Sequence, residues 1–362
     1  MVTIQPRPIE YYLDLPADEL DRRIAAAKEA MRRRLLILGH HYQQEDVIKF
    51  ADFRGDSLKL SQEAAKSDRE YIVFCGVHFM AETADIITGG HQKVILPDLT
   101  AGCSMADMAD LYRVERAWKD ITNVVGENHL LPVTYINSSA DLKAFCGKKN
   151  GAVCTSSIAE RVIRWALGQS EKVFFFPDEH LGRNSAFKIG IPENEIIVWH
   201  RDEPMGGNSE EAIKRAKIIL WNGFCNVHML FLPKHIGYFR ERYPDIHIIV
   251  HPECRREVVA LSDLCGSTEY IIKTVREAPS GTVWAVGTEI NLVNRLKRDH
   301  PDKTIFFLSP TVCLCSTMYR IDPQHLCWVL ENLTEGRVVN QIIVAEDVKQ
   351  WARLALERML SL

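Results

Sequence analysis

Short, strongly apolar runs recur along the chain, and each of them ends in a polar loop. Such runs predict buried strands, because they are too short for buried helices and lie next to turn residues. Between them, apolar residues spaced three or four apart predict amphipathic helices at 16–34, 111–121, 233–242, 325–332 and 346–359. The strand-like runs lie at 35–38, 71–75, 93–96, 132–136, 173–176, 195–199, 217–221, 246–250, 282–286 and 303–308. Buried strands that alternate with helices predict an α/β fold with parallel sheets covered on both faces.

The order of these elements repeats three times. In each repeat a similar distance separates the first strand from a hydroxyl residue that precedes a helix: 35 to 57, 132 to 156 and 246 to 267. A period of ~100 residues is too long for a solenoid and fits a triplicated domain. We therefore predict three similar αβα sandwich domains, at 1–108, 109–228 and 229–315, followed by a C-terminal helical segment at 316–362. If they pack about a pseudo-threefold axis with their strand ends inward, the active site lies at the centre.

Three apolar strands each lead into a loop that contains a thiol. The loops carry Cys103, Cys225, and the pair Cys313 and Cys315. A structural zinc site would take four ligands, usually from Cys-x-x-Cys pairs, and the chain has no such pair. Three thiolates can instead hold three corners of a [4Fe–4S] cluster and leave one iron open as a Lewis acid.

The alternative is that these cysteines are separate core residues. We give that interpretation to Cys75, Cys146 and Cys327, since small buried thiols are common in protein cores.

Polar side chains stand directly after several predicted strands. These are His40, Tyr42, Asn137, His251 and Glu253. In open α/β sheets, residues beyond the carboxyl ends of the strands line the ligand crevice. The histidines and Glu253 are therefore candidates for acid–base chemistry.

Hydroxyl groups precede the helix of each repeat, in Gly55-Asp-Ser57, Thr155-Ser-Ser157 and Gly266-Ser-Thr268. One interpretation is helix capping, and Ser157-Ile-Ala-Glu160 fits a capping box. The other is anion binding at helix N-termini, where unpaired N–H groups favour phosphate or carboxylate. Three such sites around one cavity would suit a substrate with several anionic groups.

Composition narrows the class of protein. The chain is 46% hydrophobic and 25% charged, as globular proteins are, and its net charge of -4 argues against non-specific nucleic-acid binding. It has no apolar run long enough to span a membrane and no signal-peptide core near Met1, so we predict a cytoplasmic protein without a membrane partner.

From about residue 35 to the C-terminus the chain resembles quinolinate synthase, the iron–sulfur family of NAD biosynthesis. The segments that carry this resemblance are Gly39-His-His-Tyr-Gln43, Gly55-Asp-Ser-Leu58, Gly76-Val-His-Phe-Met-Ala-Glu-Thr-Ala84, Tyr135-Ile-Asn-Ser-Ser139, Cys154-Thr-Ser-Ser157, Pro177-Asp-Glu-His-Leu-Gly182, His251-Pro-Glu253 and Gly266-Ser-Thr268. The resemblance implies three αβα domains about a pseudo-threefold axis. It also implies condensation of iminoaspartate with dihydroxyacetone phosphate to quinolinate, phosphate and water. An L-aspartate oxidase or dehydrogenase is the expected source of iminoaspartate.

The resemblance also implies roles for individual residues. The [4Fe–4S] ligands are Cys103, Cys225 and Cys315, the last because Cys315-Ser-Thr-Met318 matches a Cys-x-x-Met step of the family. Candidates for moving protons are His40, Tyr42 and Glu253. The residues expected around the substrates are His40, Ser57, Tyr135, Asn137, Ser156, His251, Glu253 and Thr268.

Two features depart from the family pattern. The stretch from Ile197 to Lys217 looks like extra length relative to shorter members, and Cys313-Leu-Cys315 stands where some members have Cys-x-x-Cys-x-x-Cys. Two rival classes remain open. Isoprenoid-diphosphate reductases and diphthamide radical enzymes also draw three cysteines from three related domains, but they should lack His-Pro-Glu. An iron–sulfur or zinc-binding regulator would not need the acid–base groups.

Overall fold

The protein is α/β, as predicted. The computed structural model describes residues 7–88, 90–312 and 314–362. In these ranges the strands are β1 Leu35–His40, β2 Phe53–Gly55, β3 Tyr71–Cys75, β4 Lys93–Ile95, β5 Leu130–Tyr135, β6 Ala152–Cys154, β7 Lys172–Phe176, β8 Ile196–Trp199, β9 Ile218–Trp221, β10 His247–Val250, β11 Leu264–Cys265, β12 Val283–Gly287, β13 Thr304–Phe307 and β14 Gln341–Ile342.

Helices separate most of these strands. They are α1 Glu10–Leu13, α2 Ala17–Met31, α3 Glu45–Ile48, α4 Ser57–Lys66, α5 His78–Ile87, α6 Leu111–Val125, α7 Ala140–Lys148, α8 Ala159–Gln169, α9 Glu179–Lys188, α10 Glu210–Arg215, α11 Pro233–Arg242, α12 Arg256–Leu261, α13 Thr268–Glu277, α14 Ile290–Asp299, α15 Pro323–Thr334 and α16 Glu346–Ser361. None of the helices in the described residues is long and apolar enough to cross a membrane.

The strands form three sheets that share one topology. Their orders are β14-β4-β3-β1-β2, β6-β5-β7-β9-β8 and β11-β10-β12-β13. In each sheet the first strand of the repeat lies between its second and third strands. The strand on the other side of the third is β4, β9 or β13, and in the second sheet β8 is added beyond β9. All pairings are parallel except β14 with β4. The predicted triplication is therefore present in the topology, and all loops that follow the parallel strands of one sheet leave from the same edge.

The chain divides into two compact units. The first comprises Met1–Gly102 with Cys315–Val344, and the second comprises Cys103–Leu314 with Ala345–Leu362. The first unit contains one sheet and the second contains the other two. The C-terminal segment contributes α15 and β14 to the first unit and α16 to the second. The domain boundaries predicted at 108, 228 and 315, and the pseudo-threefold axis, stay predictions.

The stretch from Ile197 to Lys217, which the sequence predicts to be extra length, lies at the edge of the second sheet. Its strand, β8, pairs only with β9 among the described strands, with Val198 opposite Leu220. The following helix α10 begins at Glu210 after Ser209, whose side chain accepts a hydrogen bond from the Ala212 amide. An edge strand and a short capped helix can be added without disturbing the order of the inner strands.

A glycine lets α16 pack closely against α7, the helix that follows the predicted site residue Asn137. A Cβ on Gly147 would lie 1.9 Å from the backbone oxygen of Trp351. We expect Gly147→Ala to lower the free energy of unfolding by about 1–3 kcal/mol, despite the better helix propensity of alanine. Gly168→Ala, on α8 with nothing within 4 Å of its Cβ, should instead raise it by up to about 1 kcal/mol. Urea unfolding of the two variants tests this, and a stable Gly147→Ala protein would contradict the close packing.

Candidate active site

In the first unit, His40 and Tyr42 meet at the end of β1. The backbone N–H of Tyr42 donates a hydrogen bond to His40 Nδ1 at 3.1 Å, and the two rings contact edge to face at 4.7 Å. An Nδ1 that accepts a hydrogen bond carries no proton, so in the neutral ring the proton lies on Nε2. His40 is buried at the strand end. The predicted pair is therefore brought together, with the imidazole held as a donor at Nε2.

The hydroxyls of Ser57 and Thr268 do not cap the helices that they begin. Asp56 accepts the capping hydrogen bond from Lys59 N–H in α4, and Ser267 accepts the one from Tyr270 N–H in α13. Ser57 and Thr268 are the first residues inside these helices. Capping is thus served by the preceding residues, which favours the anion-binding interpretation of these two hydroxyls.

The predicted capping box at Ser157 is wrong. Helix α8 begins at Ala159, and its N-cap residue, Ile158, makes no side-chain capping bond. The reason is a turn before the helix, in which the Ile158 N–H donates to the Thr155 carbonyl oxygen at 3.1 Å. Ser156 lies in this turn and lines a cavity of about 250 Å³ with Pro252 and Gly266, among others.

In the second unit, the buried polar atoms without a hydrogen-bond partner among the described residues include two that follow neighbouring strands. They are Asn137 Oδ1, after β5, and Thr155 Oγ1, after β6. A buried polar atom left unpaired costs about 1–3 kcal/mol, so native proteins keep such atoms mainly where a ligand or water will pair with them. The two strands are neighbours in one sheet, which places both atoms at the same sheet edge.

The centre of the second unit's site is a buried group of His228, His251 and Glu253. His228 Nδ1 lies 2.8 Å from Glu253 Oε2, and the rings of His228 and His251 stack at 4.6 Å. Tyr135, at the end of β5, hydrogen-bonds to Glu253. The predicted residues Tyr135, His251 and Glu253 are thus in one cluster, with His228 as an additional member.

Burial and charge set the protonation states in this cluster. Burial lowers the pKa of His251 to about 3, so this ring is neutral at pH 7. Burial alone would raise the pKa of Glu253, but the neighbouring His228 and His251 rings and two hydrogen bonds outweigh it and lower the pKa to about 2. Glu253 is therefore an ionised carboxylate at neutral pH although it is only 3% exposed.

A second buried carboxyl, Asp178, lies after β7. Its pKa is raised well above the usual range by burial and by the negative charge of Glu253. Asp178 Oδ1 accepts the capping hydrogen bond from Leu181 N–H at 2.6 Å, and Oδ2 has no partner among the described residues. Two carboxyl groups with pKa values shifted in opposite directions are typical of acid–base sites.

The raised pKa of Asp178 gives a test in the pH dependence of stability. The folded state holds its proton more tightly than the unfolded chain, so this carboxyl lowers stability as the pH rises above about 4. Asp178→Asn keeps the cap but cannot ionise. We expect its stability advantage over the wild type in urea unfolding to grow as the pH rises above about 4, with a slope of up to about 1.4 kcal/mol per pH unit. Asp178→Ala, which loses the cap, should be about 1 kcal/mol less stable than Asp178→Asn. A stability difference between Asn and Asp that does not change with pH would contradict the raised pKa.

The cysteines fall into two groups. Cys75, Cys146 and Cys327 are buried core residues, as predicted, and burial raises the pKa of the Cys75 and Cys327 thiols to about 12. In contrast, Cys103, Cys225 and Cys315 are only partly buried.

The loops of Cys103 and Cys225 meet in the second unit, where Asn226 Nδ2 donates to Ser104 Oγ at 3.4 Å. Two thiols in adjoining, half-exposed loops fit two corners of a cluster. Cys315 belongs to the first unit, and Cys313 lies outside the described residues.

Comparison with known proteins identifies the family. The sequence model described as "NadA: Quinolinate synthetase A protein" matches residues 22–361. The chain belongs to this family. The predicted membership of the quinolinate synthase family is confirmed. The prediction that the protein is an enzyme is confirmed as well.

Relatives named quinolinate synthase resemble the chain over almost its full length. The chain is 57% identical to the protein of Herpetosiphon aurantiacus over 356 residues, which cover 98% of this chain and 95% of the relative. It is 53% identical to that of Rhodopirellula baltica over 369 residues, with coverage of 98% and 93%. Among solved structures, a diphosphate reductase from Plasmodium falciparum, E-1-hydroxy-2-methyl-but-2-enyl-4-diphosphate reductase, aligns over 94% of both chains with 9% identity and a TM-score of 0.25, a similarity too low to carry an argument.

The sequence analysis did not predict three residues that lie in or beside the site of this quinolinate synthase family member. His228 and Asp178 are described above. The third is Asn184, whose Nδ2 donates to the backbone oxygens of Pro252 and Cys254 at 2.8 Å each and so holds the His-Pro-Glu loop. The spacing Cys225-Asn-Val-His228 and the segment Pro177-Asp178 were visible as signals, whereas nothing in the sequence singles out Asn184.

Proposed function

We propose that the protein is a quinolinate synthase that condenses iminoaspartate with dihydroxyacetone phosphate to quinolinate, phosphate and water. The observation that carries this proposal is the buried group of Tyr135, His228, His251 and Glu253 in a chain of this family. We further propose an L-aspartate oxidase or dehydrogenase as the source of iminoaspartate.

The proposed cofactor is a [4Fe–4S] cluster held by Cys103, Cys225 and Cys315. The thiols are the three partly buried ones with a matching family pattern, and the loops of Cys103 and Cys225 adjoin. When bound, a cluster with one open iron supplies a Lewis acid that can hold a leaving or chelating oxygen.

The chain's own groups would bind the anionic ends of the substrates. The hydroxyls of Ser57 and Thr268 stand at helix starts that other residues cap, and Ser156 lines a cavity. Helix N-termini favour phosphate and carboxylate, of which the two substrates together carry three. The buried acceptor Asn137 Oδ1 can take a hydrogen bond from an imine N–H or a hydroxyl of the substrates.

Proton transfer would use the ionised and donor groups at the strand ends. The Glu253 carboxylate can accept a proton from carbon next to a carbonyl, and its oxygen beside His228 is already fixed in place. His40 can donate at Nε2, since Nδ1 is occupied by the Tyr42 amide, and the Tyr42 hydroxyl is a second candidate donor. The ketose–aldose shift and the ring closure each need such transfers.

The proposed activity is tested with anaerobically reconstituted protein. We expect quinolinate to form from iminoaspartate and dihydroxyacetone phosphate, in proportion to the iron and sulfide content, and exposure to air to abolish it. Quinolinate formation by a preparation free of iron would contradict the cluster proposal. Iron-loaded protein that makes no quinolinate but reduces a diphosphate would instead favour the reductase class, and protein inactive in both assays would favour a regulator.

A further inference from the structure

Cys225, His228 and Glu253 form a set of metal-ligating groups. One ligand atom from each, a sulfur, an imidazole nitrogen and a carboxylate oxygen, all lie within 4.8 Å of one another. Zn²⁺ takes this mixture of ligands, with bonds that place the ligand atoms about 3.5 Å apart in a tetrahedral site. Small side-chain rotations that widen the 2.8 Å separation of His228 Nδ1 and Glu253 Oε2 and adjust the Cys225 sulfur would place all three atoms around one cation.

Two structural elements bring the three ligands together. Cys225 and His228 lie three residues apart in a tight turn, which the Met229 N–H closes by donating to the Cys225 carbonyl oxygen at 3.1 Å. Glu253 comes from the loop after β10, in the same compact unit. Partly buried Cys225 gives a cation a route to the two buried ligands.

The surroundings of His228 suit a metal ligand. His228 Nε2 lies 3.3 Å from Thr288 Oγ1, a hydroxyl that can accept a hydrogen bond from the N–H at that nitrogen. In the metal-bound form Nδ1 would exchange its contact with the Glu253 carboxylate oxygen, 2.8 Å away, for a bond to the cation. Metal-bound histidines are usually held in this way by a hydrogen bond at the other ring nitrogen. His228 and Glu253 are 1% and 3% exposed, so water competes weakly for the cation.

We propose that the full chain, when it lacks its cluster, binds a divalent cation of the zinc class through Cys225, His228 and Glu253, with the fourth position open. The cation takes the place of the contact between His228 Nδ1 and Glu253 Oε2. One part of this proposal rests on the proposed function: because Cys225 would also be a cluster ligand, the cation and the cluster exclude each other. Zinc would then control how much of the protein can take up iron and sulfide.

The test is a titration of the full-length protein with Co²⁺ after anaerobic removal of iron by a chelator. We expect one equivalent to bind, with a thiolate-to-cobalt charge-transfer band and the intense visible bands of four-coordinate Co²⁺, and Zn²⁺ to displace it. Protein preloaded with Zn²⁺ should take up iron and sulfide at least about 10-fold more slowly. Octahedral Co²⁺ without the charge-transfer band would overturn the proposal.

Variants separate this site from the proposed cluster. Cys225→Ser should lose the charge-transfer band, and Glu253→Gln and His228→Ala should each weaken Co²⁺ binding at least about 10-fold. Cys103→Ser is the matched control, because it removes a proposed cluster ligand and should bind Co²⁺ as the wild type does. Loss of Co²⁺ binding in Cys103→Ser, or unchanged binding in Glu253→Gln, would contradict the proposal.

The outcome is independent of the proposed enzymatic activity. Co²⁺ binding is measured on protein without a cluster, whereas the quinolinate assay uses reconstituted protein. Circular dichroism of each variant shows whether it folds. If His228→Ala does not fold, Cys225→Ser and Glu253→Gln, which change few atoms, still decide the matter.

Discussion

Glu253→Gln is expected to fold normally, keep its iron and lose most of its turnover. Glutamine has the size of glutamate and can still accept a hydrogen bond, but it cannot take up a proton at neutral pH. Glu253 is buried and ionised beside His228, so the substitution removes the charge of the proposed proton acceptor with little change in its shape. We expect kcat to fall at least ~100-fold, the usual contribution of a positioned acid–base group. The measurement is quinolinate formation by anaerobic protein of known iron content.

The matched control for this experiment is Glu257→Gln. Glu257 lies four residues further on, in α12, and is exposed. The same chemical change there should leave kcat within about twofold, because an exposed surface substitution disturbs little. Near-normal kcat in Glu253→Gln would move the acid–base role to another group, with Tyr42 and His40 as the next candidates. Equal losses in both variants would point to a general effect on the protein.

The long elements of the fold were predictable because their hydrophobic pattern is strong. All ten predicted strands are present to within about two residues, and the helix predicted at 233–242 matches α11. The strands β2, β6 and β11 were missed. They have only two or three residues each, too few to show a period, and they pair at or next to sheet edges beside a stronger strand. The antiparallel strand β14 was missed for the same reason.

The strand-end residues of the site were predictable, but their protonation was not. Position after a buried strand pointed to His251 and Glu253, because parallel strands deliver such residues to one edge. The low pKa of Glu253 depends on His228, which comes from a different loop. The raised pKa of Asp178 depends first on its burial and then on the charge of Glu253, 75 residues away in sequence. Contacts of this kind arise from tertiary packing and leave no local pattern in one sequence.

The helix starts show a different limit. From the sequence, each hydroxyl could be either a helix cap or a ligand for an anion. The sequence could not show whether Ser57 or its neighbour Asp56 caps the helix. The backbone geometry does so, because only the N-cap residue has extended dihedral angles and a side chain that reaches the helix amides. A shift of one residue along the chain decides which side chain caps the helix.

Cys315→Ser is expected to abolish cluster assembly, whereas Cys313→Ser should leave it intact. A thiolate ligand needs the correct reach, and a shift of two residues along a loop changes both the position and the direction of the sulfur. Cys315 is partly buried, with Sγ 3.4 Å from Thr317 Oγ1, a hydroxyl that can hydrogen-bond to a thiolate ligand. Serine at this position offers a poorer ligand of the same size, so the loss should be in iron rather than in folding.

The measurement is iron and sulfide content with Mössbauer spectra, on variants prepared anaerobically. Cys265→Ser is the matched control, because Cys265 is also partly buried but its pKa is raised to about 12 by burial. It should retain a full [4Fe–4S] cluster, as Cys313→Ser should, while Cys103→Ser and Cys225→Ser should lose it as Cys315→Ser does. If Cys315→Ser keeps a full cluster and Cys313→Ser loses it, the third ligand is Cys313. If both keep it, the third corner of the cluster is held outside this loop, and the three-cysteine pattern fails as an explanation of the cofactor.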